Sequence, residues 1–438
     1  MNKISVFLKT VFGGKEAKNA SWLIAGKIAQ MALSLLVGAL SARYLGPNNY
    51  GIIGYGTAYV NFFMAFCTLG INSVIIKNFI DHPDEQGYAI GTTIILRIIS
   101  SFLSAIMIVG IVAVIDKGEK ITIFVVALCS LSLIFYAFDT INYWFQSKYK
   151  SKITAIVTLD AYIATSIYRI ILLILGKSVV WFAFASSFDY IAIGILLLVI
   201  YKRNEGPKLR FSLNKAKELL HSSYHYILSG MMVAIYAQTD KLMLKQMIDE
   251  STVGYYTIAT NISTMWTFVL MAIIDSVYPT ILRCYNNNHK EYERKNRQLY
   301  AIVFYISVFV ALVFQFAGGF IVQVLYGLEY LPAVTPLKIV TWYVAFSYLG
   351  VARNAWIVCE NNQRYLKFMY LGAAIINIVL NLLMIPQYGT SGAALASLIT
   401  QVCTSLILPF FIRDMRPNCK LMIEGILLHN TLGRTEQL

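Results

Sequence analysis

The chain has 438 residues, of which 58% are apolar and 13% charged, with a mean hydropathy of +0.64; about 25% charged is usual for a soluble domain. A water-soluble protein is excluded, and at about 20 apolar residues per crossing the length accommodates roughly 12 to 14 transmembrane helices with no sizeable soluble domain. The formal charge of +14, from 36 Lys and Arg against 22 Asp and Glu, follows from the collection of basic residues in cytoplasmic loops, so nucleic acid is not an expected partner.

Lys3, Lys9, Lys15 and Lys18 precede an apolar stretch too long for a signal peptide and without a clear cleavage site, so this stretch is expected to stay as the first helix. Apolar runs between polar, Gly or Pro breaks predict spans at 20–42, 52–75, 89–114, 121–145, 154–175 and 179–201. A second set falls at 223–244, 254–281, 299–325, 338–360, 366–386 and 391–412. With the N-terminus placed in the cytoplasm, the inner segments hold 25 basic residues and the outer segments 6. That bias supports an even number of crossings with both termini cytoplasmic.

The expected fold is an all-α integral membrane protein of twelve transmembrane helices in two six-helix lobes. Residues 1–201 form an N-lobe, 202–220 a basic cytoplasmic linker containing Gly206 and Pro207, 221–413 a C-lobe, and 414–438 a cytoplasmic tail. Tyr50-Gly51-Ile52-Ile53-Gly54-Tyr55-Gly56-Thr57-Ala58 echoes Val253-Gly254-Tyr255-Tyr256-Thr257-Ile258-Ala259-Thr260 six helices later. An even separation makes the repeats parallel and relates the lobes by a pseudo-two-fold axis.

No catalytic constellation is present. Cys67, Cys129, Cys284, Cys359, Cys403 and Cys419 are scattered singly, which suggests neither a disulfide framework nor a zinc site. His221 and His225 are spaced i, i+4 but lack a glutamate or third ligand, and Gly51 to Gly56 has no βαβ context. No metal or cofactor is expected.

The chemistry lies in polar residues inside apolar helices. A charge at mid-bilayer costs about 2.5–3.5 kcal/mol on insertion scales, so such residues face protein or a hydrated cavity. The cations are Lys27, Arg97, Arg169, Lys241 and Arg353, and the acids Asp139, Asp160, Asp189, Asp240 and Asp275, with Glu360 at a span end. Polar neighbours share the face of each cation: Gln30, Ser34 and Ser41 with Lys27, Thr93, Ser101 and Ser104 with Arg97, Thr158, Tyr162 and Thr165 with Arg169. Asp160 lies about 180° around its helix from Arg169, so those two are not expected to pair. Further stripes run through Asn61 and Asn72 on helix two, Asp139 and Tyr143 on helix four, and Asn377 and Asn381 on helix eleven. Stripes on this many helices point to a large hydrated cavity between the lobes.

Lys27, Arg97 and Arg353 sit at a common depth of about 10 Å from the cytoplasmic side, a level that suits a diphosphate bound by bidentate guanidinium groups. Arg169 lies nearer the outer side and could take the second step. Trp342 and Trp356 flank Arg353 and are candidates for stacking on sugar rings. Asn61 completes the candidate substrate-binding set.

Four segments resemble the Wzx-type polysaccharide or oligosaccharide flippases of the multidrug/oligosaccharidyl-lipid/polysaccharide exporter superfamily. They are Ala42-Arg43-Tyr44-Leu45-Gly46-Pro47 with Tyr50-Gly51; Thr239-Asp240-Lys241 with Val253-Gly254-Tyr255-Tyr256; Leu325-Tyr326-Gly327 with Tyr330, Ala333 and Leu337-Lys338-Ile339; and Pro386, Gly389 and Gly392-Ala393-Ala394. The resemblance implies a transporter, not a chemical catalyst, that moves an undecaprenyl-diphosphate-linked oligosaccharide repeat from the cytoplasmic to the outer leaflet of a bacterial plasma membrane by alternating access. O-antigen, capsule or exopolysaccharide synthesis would use such cargo, and membrane lipids and a glycan polymerase complex would be partners. A proton or sodium gradient would drive it, with Asp189 or Asp240 as the coupling acid. The alternatives are a multidrug/cation antiporter of the same fold, which the excess of intramembrane cations disfavours, and a membrane glycosyltransferase or polymerase, which would carry catalytic groups on a long outer loop.

Overall fold

A computed structural model describes residues 15–429, with side chains from Gln30 onward except at Ser73 and Ser229. All regular elements among the described residues are helical. Hydrocarbon offers backbone N–H and C=O groups no water, and a helix satisfies them within one segment.

α1 (Lys15–Cys67) is two consecutive helices separated by a kink at Gly46 (φ 73°, ψ 169°) just before Pro47. Only glycine adopts that backbone readily, and the break falls where the sequence separates its first two spans. The span expected over 52–75 stops early: Leu69 (φ 52°) and Gly70 (φ 60°) make a turn, and α2 (Asn72–Asp81) leaves it. A Cβ on Gly70 would stand 2.8 Å from both the carbonyl oxygen of Ser223 and the Cβ of Tyr226, so a contact remote in sequence sets this break.

α3 (Gln86–Ile115), α4 (Lys120–Tyr136), α5 (Thr140–Ser147), α6 (Ser151–Ile174) and α7 (Val179–Arg203) follow. α8 spans Leu213–Met247. The span expected over 254–281 is divided into α9 (Glu250–Thr264), which Asp249 caps by accepting from the Thr252 N–H at 2.8 Å, and α10 (Phe268–Asn287). α11 (His289–Tyr326) starts ten residues before the expected 299, because Asn288 caps it and charged first turns carry it past the apolar boundary. The span expected over 338–360 is split at Arg353 between α12 (Val334–Ala352) and α13 (Asn354–Cys359). α14 (Leu366–Val402) is kinked at Gly389 (φ 55°, ψ −130°) after Pro386 and runs through a π-helical turn, Cys403–Ile407, into α15 (Leu408–Phe411) and then α16 (Arg416–Ile426).

Among the described residues, eight helical segments are long and apolar enough to cross a membrane, and only 17 to 44% of their apolar windows is buried within the protein. The rest faces outward through side chains such as Phe316 (85% exposed) and Ile174 (78%), as lipid-facing helices require.

The chain divides into two compact units at Ala234/Ile235, inside α8. In the N-terminal unit, Ile71, Ile75, Phe79, Ile90, Trp144 and Tyr201 form a core, threaded by Gln86, which donates to the Phe79 carbonyl at 2.8 Å and accepts from the Trp144 indole at 2.9 Å. The basic connection between α7 and α8 is stitched onto this unit. The Arg210 N–H donates to the Gly87 carbonyl at 3.1 Å, the Ser212 N–H to Thr92 Oγ1 at 3.0 Å, and Lys215 pairs with Glu85 at 2.6 Å. Burial disfavours the Lys215 ammonium, but Glu85 and Glu218 outweigh it and hold the group above its ordinary range.

In the C-terminal unit, Leu299, Tyr300, Leu349, Trp356, Met415 and Met422 form the core. The expected polar tail opens with α16, which is clamped on α11 where Asn418 donates to Tyr300 Oη at 2.6 Å and Arg297 pairs with Glu424 at 2.6 Å.

Gly87 and Gly91 lie one turn apart on α3, and a Cβ on either would come within 2.4 Å of the backbone oxygen of Lys208 or Arg210. Backbone cannot step aside cheaply, so Gly91→Val is expected to lower unfolding stability by about 1–3 kcal/mol, as overpacking does. Thermal unfolding of the detergent-purified protein against Gly110→Val, which meets open space, checks this.

Candidate functional site

The polar stripe of α3 turns inward. Thr93, Arg97, Ser101 and Ser104 are each 1% exposed or less. Arg97 Nη1 donates to Thr140 Oγ1 at 3.0 Å and Nη2 donates to Asn72 Oδ1, so the break after Cys67 and the junction between α4 and α5 supply its neutral partners. Its guanidinium carbon stands 5.9 Å from the centre of the Tyr143 ring, and Asp139 acts on it electrostatically without making an ion pair. Arg97 Nε and Thr93 Oγ1 are buried without a hydrogen-bond partner among the described residues. A buried guanidinium with one N–H unspent is costly, and native proteins seldom leave such atoms without a reason.

Arg353 is 3% exposed, at the junction of α12 and α13. Its Nη1 donates to the Ser405 carbonyl at 3.1 Å and, more weakly, to that of Thr404 at 3.4 Å. Both carbonyls belong to the π-helical turn: the Leu408 N–H is spent on the Cys403 carbonyl, which leaves that of Thr404, and Pro409, four residues after Ser405, has no N–H to offer. Its Nε is also unpartnered, and no carboxylate pairs with it among the described residues.

Asp240 is the best-satisfied acid of the C-terminal unit. It is 3% exposed and accepts from the Tyr256 hydroxyl at 2.5 Å, from Asn381 Nδ2 at 2.7 Å, from Asn377 Nδ2 at 3.2 Å, and from the Ser397 hydroxyl. The donors come from α9 and both arms of the kinked α14, all neutral. Asn377 and Asn381 are legible as an i, i+4 stripe, but nothing in the sequence ties them, Tyr256 or Ser397 to Asp240.

The remaining candidates are dispersed. Arg169 is half-buried on α6 and within electrostatic reach of the half-buried Asp189, to which Thr165 donates at 3.4 Å; Asp160 is exposed. Asn61 is exposed, Trp342 half-buried, and Trp356 only 3% exposed within the core. Lys27 lies on α1, and its side chain is outside the described residues. Among the described residues no group of three His, Cys, Asp or Glu residues is placed to hold a metal ion.

Comparison with known proteins gives this arrangement a context. The family described as polysaccharide biosynthesis protein matches residues 17–284, more than half of the chain. The chain belongs to that family. It is similar to the capsular polysaccharide biosynthesis protein CapF of Staphylococcus aureus, at 22% identity over 88% of this chain and 96% of the relative. It is also similar to a protein of Escherichia coli (strain K12) provisionally named an O-antigen transporter, at 20% identity over 91% and 96%. Its fold is shared with the inward-facing conformation of a multidrug resistance MATE family transporter of the MOP superfamily (13% identity, TM-score 0.71, 90% of this chain and 98% of that one). The lipid II flippase MurJ in an inward closed conformation is comparably close in fold (17% identity, TM-score 0.69, 93% and 91%). This family member is a multi-span membrane protein by the length and composition of its helices.

Removing one donor from a buried carboxyl costs about 1–3 kcal/mol. Asn381→Ala is therefore expected to lower unfolding stability by about that amount, read as a lower melting temperature in detergent. Ser276→Ala, at an exposed hydroxyl that donates to the Ile273 carbonyl within its own helix, should leave it unchanged.

Proposed function

We propose that the protein is a flippase that carries undecaprenyl-diphosphate-linked oligosaccharide repeat units from the cytoplasmic to the outer leaflet by alternating access of two six-helix lobes. The observation that carries this reading is that each unit keeps a deeply buried guanidinium, Arg97 or Arg353, without a carboxylate ion-pair partner among the described residues. A structural role alone would be met more cheaply by an apolar side chain, since buried charges are expensive to desolvate. A diphosphate supplies the missing negative charge and matches the planar donor fork. Lys27, Arg169 and Asn61 are the further candidates for contact with the cargo, and Trp342 and Trp356 are the tryptophans nearest in sequence to Arg353.

Twelve crossings account for the helices. To the eight apolar segments are added the two arms of α1 on either side of Gly46, α8, and the second arm of the helix kinked at Gly389. The bias of basic residues places both termini in the cytoplasm.

The test is flipping of a fluorescent undecaprenyl-diphosphate oligosaccharide in proteoliposomes. Arg97→Met is expected to keep or raise the melting temperature, because removing a poorly compensated buried charge is neutral or stabilising by about 1–4 kcal/mol, while flipping falls at least about tenfold. Arg353→Lys should lose flipping similarly, since one ammonium cannot replace the fork. Unimpaired flipping by both variants, or transport of organic cations instead, would reject the reading.

Asp240 is the coupling candidate, for a proton or for sodium bound among oxygen ligands from Asp240, Asn377, Asn381 and Ser397, with Asp189 the second acid. Asp240→Asn is expected to leave downhill flipping measurable and to remove its dependence on an imposed pH or sodium gradient. Retained gradient dependence would move the coupling elsewhere.

A further inference from the structure

Three helices of the C-terminal unit end at one cavity. α11 begins at His289, α13 ends at Cys359 and α15 ends at Phe411, and a cavity of about 860 Å³ is lined by the residues at these ends, with α16 as its further wall. The apolar ends of α13 and α15 mark the boundary between hydrocarbon and headgroups, past which the charged first turns of α11 extend, on the side where Arg294, Arg297, Arg413 and Arg416 collect. A cavity at that level opens to the phosphate layer of a leaflet.

Most charges on its wall are already spent. Arg297 holds both Glu293 (2.8 Å) and Glu424 (2.6 Å). Asp414 accepts from the Tyr365 hydroxyl at 2.5 Å and pairs with Arg364 at 3.0 Å, contacts that keep its carboxyl below the usual range against a small opposing effect of burial. Three charged groups are left over. The Arg413 side chain makes no hydrogen bond or ion pair among the described residues and acts on Asp414 only electrostatically. Arg416 spends only its Nε, on the Phe410 carbonyl at 3.0 Å, with its guanidinium carbon 5.8 Å from the centre of the Phe410 ring. Among the described residues, the Glu360 carboxylate accepts only from the Tyr292 hydroxyl, at 3.2 Å.

We propose that this cavity binds the headgroup of a phosphoethanolamine lipid of the cytoplasmic leaflet, with the phosphate at Arg413 and Arg416 and the ammonium at Glu360. Two unspent guanidinium groups fit a phosphate. A carboxylate with free lone pairs beside the Tyr292 ring fits an ammonium that has three N–H donors; a trimethylated ammonium has none, so the geometry selects ethanolamine over choline. Ile407 (46% exposed) and Phe411 (74%), at the end of the last apolar segment, offer the acyl chains a path out. The proposal concerns an annular lipid and stands apart from the identity of the transported cargo.

Native mass spectrometry of the full-length protein in mixed micelles, loaded with palmitoyl-oleoyl phosphatidylethanolamine, phosphatidylcholine or phosphatidylglycerol in turn, tests this. One phosphatidylethanolamine is expected to stay bound under collisional activation that strips the other two. The Arg413→Ala, Arg416→Ala double variant should lose that retention at least about tenfold, and Glu360→Gln should abolish the preference for ethanolamine over choline. Should the alanine pair melt early, Arg413→Lys with Arg416→Lys keeps the charge, removes the forks and is expected to weaken retention as well. Equal retention of the three lipids by the unaltered protein, or phosphatidylethanolamine retention unchanged in the Arg413/Arg416 variants or in Glu360→Gln, overturns the proposal.

Discussion

Hydrocarbon forgives no unmet hydrogen bond, and most of this structure follows from that constraint. It makes every described element helical, and it turns serine and threonine hydroxyls back onto carbonyls of their own helices, as Ser41, Thr165, Ser307 and Thr400 do. Against that background, a buried polar atom with nothing to bind stands out. Arg97 Nε and Arg353 Nε are two such atoms, one in each unit, and they belong to the most expensive side chain to bury.

Arg97 and Asp240 solve the burial of charge in opposite ways. Around Asp240, four neutral donors converge on two carboxyl oxygens, so the acid is held in place by neutral groups, while Lys241, next in the chain, acts on it electrostatically. Around Arg97 the partners are few, and the nearest acid, Asp139, acts only at a distance. A cation left in that condition attracts an anion, and a multiply charged one most strongly, since the energy gained grows with the charge that replaces lost water.

Local punctuation made much of the fold readable in advance. The breaks at Gly46-Pro47 and at Gly389 after Pro386 combine a backbone geometry that favours glycine with a proline that ends a helix, and both fall between expected spans. The inward-facing stripe of Thr93, Arg97, Ser101 and Ser104 was equally visible, because helical spacing alone puts these residues on one face. The turn at Leu69-Gly70 was not, since it answers to Ser223 and Tyr226, about 150 positions away. Convergence on Asp240 was hidden for the same reason: Asn377, Asn381 and Ser397 meet it only because the helix kinked at Gly389 folds its two arms together. Periodicity reports which face a residue occupies, never which partner waits there.

The π-helical turn joins these threads. An α-helix spends each carbonyl on the N–H four residues ahead, whereas the wider turn at Cys403–Ile407 leaves the Thr404 and Ser405 oxygens for Arg353. Arg353 in turn sits where α12 gives way to α13, so a single guanidinium braces irregular backbone on two elements, and Ser405 adds a second tie by donating to the Phe346 carbonyl at 2.7 Å. An anion reaching Arg353 would compete with those carbonyls for the same N–H groups, and the backbone that lost them would have to find other donors. Arg97 has no such backbone ties; its partners are side chains, which can rotate away at much lower cost. Of the two arginines, Arg353 is therefore the one whose hydrogen bonds tie it most directly to the backbone of its own unit.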